Sequence, residues 1–337
     1  MSGFVTVSIG SGLVDSIFGK CQVPLASYIE KQGEAFERES VMKYLFSFNP
    51  SRHWAEQYSS ETAMDDFVPV GEGGEYPRTG FEEGYNRIIE NMTFKQSFSV
   101  TQELVEDANL GAMKQRARKL ITAYGRTREK FGRALYAGGI YGTTVNFGGK
   151  SFACNGADGL ALFHKEHVNK VDGKKQSNLY KGAFSATLLG KIETEMQQVT
   201  GDNGELLAVS PDTIWIPNDA ALKDAVFSAV GADKEPTTSN NAYNVQYGRW
   251  NIIVDPYLTQ MLQVMGKTDK PFFLLDSKFM QNGDGAIFQE RKKLEVKSVI
   301  DQNNDNNSWR GRARFGAGFV DWRFVAAGNI STGKDLS

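Results

Sequence analysis

The stretch TQELVEDANLGAMKQRARKLITAYGRTREKFGRALYAGG, residues 101–139, sets the architecture of the chain. Met113, Ala117, Leu120, Tyr124, Thr127, Phe131 and Ala134 recur at alternating steps of four and three, which puts them on one face of a continuous helix. Thr101 is expected to cap it, with Glu103, Glu106 and Asp107 near the positive end of the helix dipole. The helix is expected to run to Tyr136 and to stop at Gly138-Gly139. At 1.5 Å per residue, about 35 residues span roughly 50 Å, long for a compact domain, so the segment reads as a single stiff strut. Lys114, Arg116, Arg118, Lys119, Arg126, Arg128, Lys130 and Arg133 fall between the apolar positions, where a solvated face is the ordinary reading.

Upstream, residues 1–20 read as a glycine-punctuated arm, and 25–48 as one or two short helices ending at Asn49-Pro50. Residues 59–100 form a long two-armed excursion around a glycine-rich tip from Gly71 to Gly80. On its returning arm Phe94 and Phe98 share a face. The excursion carries too few apolar residues for a core of its own, and such an extension has its partner elsewhere. Downstream, 138–180 is loop-rich, with helices expected over 185–199 and, capped by Asn218, over 218–230. Short buried strands are expected at 214–217, 250–254 and 272–275. From Ala286 the pattern becomes long β-structure. Leu294, Val296 and Ser298 alternate with Lys293, Glu295 and Lys297; after a polar turn over 301–307, Trp309, Gly311, Ala313 and Phe315 alternate with Arg310, Arg312 and Arg314. Helices and strands are segregated, so the fold class is α+β and not doubly wound.

Composition narrows the function. The 337 residues hold 38 basic and 40 acidic side chains, a net charge of −2, which argues against a protein that coats nucleic acid non-specifically. There is no apolar run of about 20 residues and no signal-peptide pattern, so neither a membrane span nor secretion is expected. Two cysteines, Cys21 and Cys154, make no disulfide framework and point to a reducing cytoplasm.

Candidate chemistry is sparse. His164 and His167, near Cys154 and Asp158, form the best metal-ligand cluster, but they lack a second closely spaced ligand pair. A metal-dependent hydrolase using them is one alternative function; a nucleic-acid-binding module using the basic helix is another. Gly148-Gly149-Lys150-Ser151 mimics the end of a phosphate-binding loop, but position 144 is threonine where that motif needs glycine, so it reads as a turn. Cys154 and Cys21 read as buried small hydrophobes. Arg310, Arg312 and Arg314 stand out, because a row of like charges on one strand face repels itself unless anions oppose it. Carboxylates of a neighbouring subunit are the first expectation, phosphate the second.

The order of elements resembles the major capsid protein of tailed bacteriophages, the Hong Kong 97-type fold, and is similar to the Mu-like major head subunits within it. The stretches that carry the resemblance are His53-Trp54-Ala55-Glu56, Asp66-Phe67-Val68-Pro69-Val70 with Glu72-Gly73 and Tyr76-Pro77, Glu83-Gly84-Tyr85, and Phe98 to Asp107. In the second half they are Leu162-Phe163 with His167, Ser177-Asn178-Leu179, Pro211 to Pro217, and Gly318 to Arg323. Together they cover roughly 50–330, and it is their order that persuades.

The resemblance implies an N-terminal arm with short helices (1–58), an extended loop (59–100), and a peripheral domain of spine helix and long strands (101–140 with 286–330). It further implies an axial domain (mostly 141–285) and a C-terminal tail (331–337). It implies a structural, non-enzymatic subunit without cofactor or metal, forming hexamers and pentamers of an icosahedral shell around double-stranded DNA. Further partners it implies are a portal protein and a separate scaffolding protein, with decoration proteins left open and no membrane. The location would be the virion head, assembled in the bacterial host cytoplasm. Expected intersubunit residues are Phe67, Glu72, Glu75, Tyr76 and Arg78 on the loop and Arg310, Arg312 and Arg314 on the strand. Some relatives crosslink a loop lysine; the tip here has none, so a non-covalent shell is expected. Some relatives begin with a cleaved scaffolding segment; with the loop beginning near residue 59 none is expected here, so that either the scaffold is a separate protein or the chain is already processed.

Overall fold

The computed structural model describes residues 5–8, 28, 30–38, 40–61, 68–70, 72, 75, 76, 83–101, 110–231, 244–282, 285–300 and 307–336. Fifteen strands are found among them: β1 (Val5–Ser8), β2 (Ser47–Pro50), β3 (Ala55–Glu61), β4 (Glu83–Glu90), β5 (Met92–Val100), β6 (Thr144–Phe147), β7 (Lys150–Ala153) and β8 (His167–Val168). The others are β9 (Lys175–Gln176), β10 (Thr213–Pro217), β11 (Asn251–Asp255), β12 (Phe272–Leu275), β13 (Ala286–Ile300), β14 (Asn307–Phe319) and β15 (Val325–Gly328). They form two main sheets, joined by one long helix.

The helix occupies Leu110–Tyr141, at 1.5 Å per residue about 48 Å. The expected cap at Thr101 and the acids after it involve residues 102–109, which lie outside the described residues. Ala117, Leu120, Tyr124, Phe131 and Ala134 are buried as their spacing requires. The expected stop at Gly138-Gly139 is corrected: the helix passes through both glycines to Tyr141. A Cβ on Gly138 would stand 2.6 Å from Val145 Cβ, and one on Gly139 2.8 Å from Leu162 Cβ. These glycines serve close packing, which outweighs their low helix propensity. The solvated face holds for Lys114, Arg116, Arg118, Lys119 and Arg126, which are exposed, and is corrected for Arg128 and Arg133, which are buried. From Phe131 to Ile140 every residue is buried, so the last turns run inside the protein.

The first sheet has the order β1-β13-β14-β5, with β2 also paired to β13. Trp309, Gly311, Ala313 and Phe315 of β14 face the long helix, and this is where the alternation read from the sequence holds. Phe94 stacks on Phe315 at 4.1 Å between ring centres, and Phe98 stacks on Trp309 at 6.2 Å. Such pairs contribute about 0.5–1.5 kcal/mol beyond their buried area. The shared face of Phe94 and Phe98 is therefore real, but it belongs to this sheet. The excursion expected over 59–100 resolves into a hairpin, β3 against β4, followed by β5 as an edge strand paired along β14. Gly316 lets this happen, since a Cβ there would collide with the Glu90 carbonyl oxygen.

The second sheet, β11-β10-β12-β15, forms a lobe with the C-terminal segment. β10 and β11 are parallel, joined through the helix Ala220–Val230. Its cap is Asp219, not the expected Asn218: the Asp219 carboxylate accepts the Leu222 N–H at 3.1 Å. The 138–180 region holds a hairpin, β6 against β7, whose two-residue turn Gly148-Gly149 has φ of +58° and +79°. That is the turn expected in place of a phosphate-binding loop. Trp215, Phe272, Phe273 and Phe324 of the lobe and Tyr136 of the helix share one continuous core with Phe46, Phe288 and Phe315 of the first sheet. No described helix is long and apolar enough to cross a membrane.

Candidate intersubunit surfaces

The β3–β4 hairpin leaves the sheet at a pinned root. Ile89 is buried with Ile287 and Val320, while Gln289 donates to the Ile89 carbonyl at 2.7 Å and accepts from the Tyr58 hydroxyl at 3.2 Å. Asn91, the single residue between β4 and β5, donates to Ser51 Oγ and to the His53 carbonyl. The turn before β3 closes on Glu56, whose Oε1 accepts from Ser51 Oγ, Arg52 N and His53 N at 2.8, 2.9 and 3.1 Å. Those donors, led by the serine hydroxyl, hold its carboxyl at about 2. Farther out, the Tyr85 hydroxyl approaches the Val168 carbonyl at 3.4 Å, so the hairpin runs beside the lobe.

At this root and in the segment between the two strands lies apolar surface that the fold leaves open. Trp54 is 65% exposed, Ile88 59% and Tyr76 94%, with Val68 and Val70 also exposed. A large apolar residue left open by the fold is the informative case, especially when several share one element. Of the loop residues expected to meet a neighbour, Glu72, Glu75 and Tyr76 are exposed. Phe67 and Arg78 lie outside the described residues. Trp54 and Ile88 were not among the expected contact residues, because which side of the hairpin stays open follows from its pairing and not from the sequence pattern.

The arginine row sits on the face of the first sheet opposite the helix. Arg310 stands between Lys297 and Ser97, Arg312 between Glu295 and Lys95, and Arg314 between Lys292 and Thr93. Lys292, not Lys293, opposes Arg314, because the pairing shifts register on both sides of Lys292. Glu295 pairs with Lys297 at 3.1 Å and with Lys292 at 3.8 Å. The lysines were missed because cross-strand neighbours follow from register, which alternation alone does not supply.

The histidine cluster is structural. His167 is fully buried and stacks on Trp322 at 4.2 Å; Nδ1 meets Asp158 Oδ2 at 2.6 Å and Nε2 meets Asn178 Oδ1 at 3.2 Å. Asn178 is fixed in turn by donating to the carbonyls of Leu162, Trp322 and Val325. Both ring nitrogens are therefore occupied, and no group of three or more His, Cys, Asp or Glu able to hold a metal occurs among the described residues. Cys154 is fully buried, and burial pushes its thiol up to about 12, far from a reactive thiolate. Cys21 lies outside the described residues.

Comparison with known proteins follows the same line as this geometry. A family model described as phage capsid protein matches residues 89–328. No curated protein matches the chain. Among solved structures it is similar to the capsid of the cyanophage P-SCSP1u, at 9% identity and a TM-score of 0.51, over 86% of this chain and 87% of that one. It is also similar to a protein of Mycobacterium phage Patience, at 11% identity and a TM-score of 0.51, over 94% and 89%. At such identities the likeness speaks for the fold, the α+β Hong Kong 97-like capsid fold. Since the family model spans well over half of its length, the chain belongs to the phage capsid protein family and is a structural protein of the virion capsid.

Proposed function

We propose that this capsid protein is the repeating subunit of an icosahedral head, arranged as hexamers and pentamers that enclose double-stranded DNA. The observation that carries the reading is the β3–β4 hairpin with Trp54, Ile88, Val68, Val70 and Tyr76 exposed. Surface of this kind is satisfied when an identical copy covers it, and a head-to-tail contact that closes by rotation produces rings. A stable contact takes roughly 800 Å² per partner, which an elongated subunit offers on several sides. In this reading the hairpin and its tip are the extended loop, with Phe67, Glu72, Glu75, Tyr76 and Arg78 meeting a neighbour. The long helix and first sheet are the peripheral domain, and the lobe is most of the axial domain. A portal protein, a separate scaffolding protein and the packaged DNA are the proposed partners, and assembly takes place in the bacterial cytoplasm.

We read the role as structural and not catalytic. The occupied nitrogens of His167 and the buried thiol of Cys154 support this over the hydrolase alternative. Negative-stain microscopy with sedimentation of the purified chain tests the assembly. Rings or closed shells are expected; a species that stays monomeric at every protein concentration overturns it.

A further inference from the structure

The long helix, Leu110–Tyr141, holds eight bases and one acid, so the near-neutral total of the chain conceals a local surplus. That acid, Glu129, is buried and pairs with Arg133. Arg116 is engaged by the Ser99 carbonyl, and Arg128 and Arg133 are buried. Lys114, Arg118, Lys119 and Arg126 remain on the exposed side, turned away from the core. Among the described residues none of these four makes an ion pair. Exposed Gln115 and Thr122 lie between them, and a shallow depression of about 690 Å³ runs among Gln115, Arg118, Lys119, Thr122 and Arg126. Lys114 and Arg118 stand one turn apart, a like-charge spacing that weakens a helix unless an anion meets it.

We propose that this side of the long helix is the seat for the phosphate backbone of the double-stranded DNA inside the shell. The proposal rests on the assembly reading above and names the surface that meets the DNA.

Two observations choose a duplex over an acidic protein. A stable protein contact is centred on buried apolar or aromatic anchors, and among the described residues no large apolar side chain of the helix is exposed. The hairpin, with Trp54 and Ile88 open, has the opposite character. The groups that the helix does offer, lysine and arginine with an amide and a hydroxyl between them, hold phosphate oxygens without reading bases. From Lys114 to Arg126 the helix rises about 18 Å, a length over which a duplex presents about ten phosphates, enough for all four cations. Contacts of this kind carry no sequence preference, as enclosing a whole genome requires.

The test is the salt dependence of duplex binding. For the unassembled wild-type subunit, affinity for a duplex of about 30 base pairs is expected to fall roughly a hundredfold between about 50 and 200 mM salt, as four phosphate contacts require. Arg118→Gln/Lys119→Gln/Arg126→Gln is expected to lower affinity at the lower salt at least about tenfold, to flatten the salt slope to about a quarter, and to leave the yield of sedimentable shells unchanged. Arg118→Lys/Arg126→Lys is expected to bind as the wild type does, since lysine serves phosphate as a point charge. The three positions are exposed, and circular dichroism and melting check the folding of each variant. Closed wild-type shells are expected to bind no added duplex, because the helix side then faces the interior. A wild type that does not bind the duplex, or a glutamine variant that binds it undiminished or fails to assemble, overturns the proposal. So does an equal or greater loss from Arg310→Gln/Arg312→Gln across the sheet, poly-glutamate that competes as well as the duplex does, or closed shells that bind added duplex. A wild-type chain that binds duplex but never forms a shell removes the assembly reading, and the enclosed DNA with it.

Discussion

Replacing Arg133 with methionine removes the tie between the long helix and the lobe. The guanidinium is 1% exposed; its Nε donates to Asp255 Oδ2 at 2.6 Å, and the same group pairs with Glu129 one turn earlier. Asp255 has no freedom to turn elsewhere. Its Oδ1 caps the helix Pro256–Val264 by accepting from Tyr257 N and Leu258 N, and its Oδ2 also accepts from Trp215 Nε1 at 3.1 Å. The methionine fills part of the space but leaves two buried carboxylates without their counter-charge. Breaking a buried pair from one side costs about 3–5 kcal/mol, a large part of a typical stability of about 5–15 kcal/mol. Urea unfolding of the unassembled subunit, followed by tryptophan fluorescence, reads this as a lowered midpoint. Arg133→Met/Asp255→Asn is expected to be at least about 1 kcal/mol more stable than Arg133→Met alone, because asparagine keeps the cap and removes one stranded charge. A loss under about 1 kcal/mol for Arg133→Met would refute the tie.

Gly139→Ala is expected to cost about 1–3 kcal/mol by overpacking against Leu162, although alanine is the better helix former; a gain in melting temperature counts against the close-packing account. The Cys154 thiol is expected to resist a maleimide in the native protein at pH 8 and to react at once in urea. Equal rates in both states contradict its burial. Glu56 sits at about 2 in the folded protein against an ordinary 4.5, so its hold on the turn is complete above pH 4.5 and is lost only as pH falls through about 2. A carboxyl titration by NMR reads this directly, and a midpoint near 4.5 removes the three-donor turn.

The parts legible from the sequence are those governed by local periodicity. The stripe Ala117, Leu120, Tyr124, Phe131 and Ala134 follows the helical repeat, and Trp309 to Phe315 follows the strand repeat. What escaped depends on tertiary contact. Gly138 and Gly139 read as a stop because glycine is a poor helix former, yet the lobe needed their lack of a side chain. Arg133 read as solvated because its carboxylate partner Asp255 lies 122 residues away. Met92–Val100 read as part of the excursion because nothing in its own alternation says whether its partner strand is β4 or β14. The candidate surfaces divide the same way. The arginine row was visible as an oddity of one strand, whereas the lysines beside it needed the shifted register of β13.

The long helix is gripped unevenly, and that has a mechanical consequence. Its last ten buried residues are enclosed on all sides, while its first half is held along one face only. It is therefore a cantilever, clamped in the lobe, whose open end rests on the sheet. When copies must meet at different angles in a closed surface, bending falls on the loosely held half and the clamped half keeps its shape. Curvature is thus expected to be adjusted where few contacts are lost, at the end away from the buried Arg128 and Arg133.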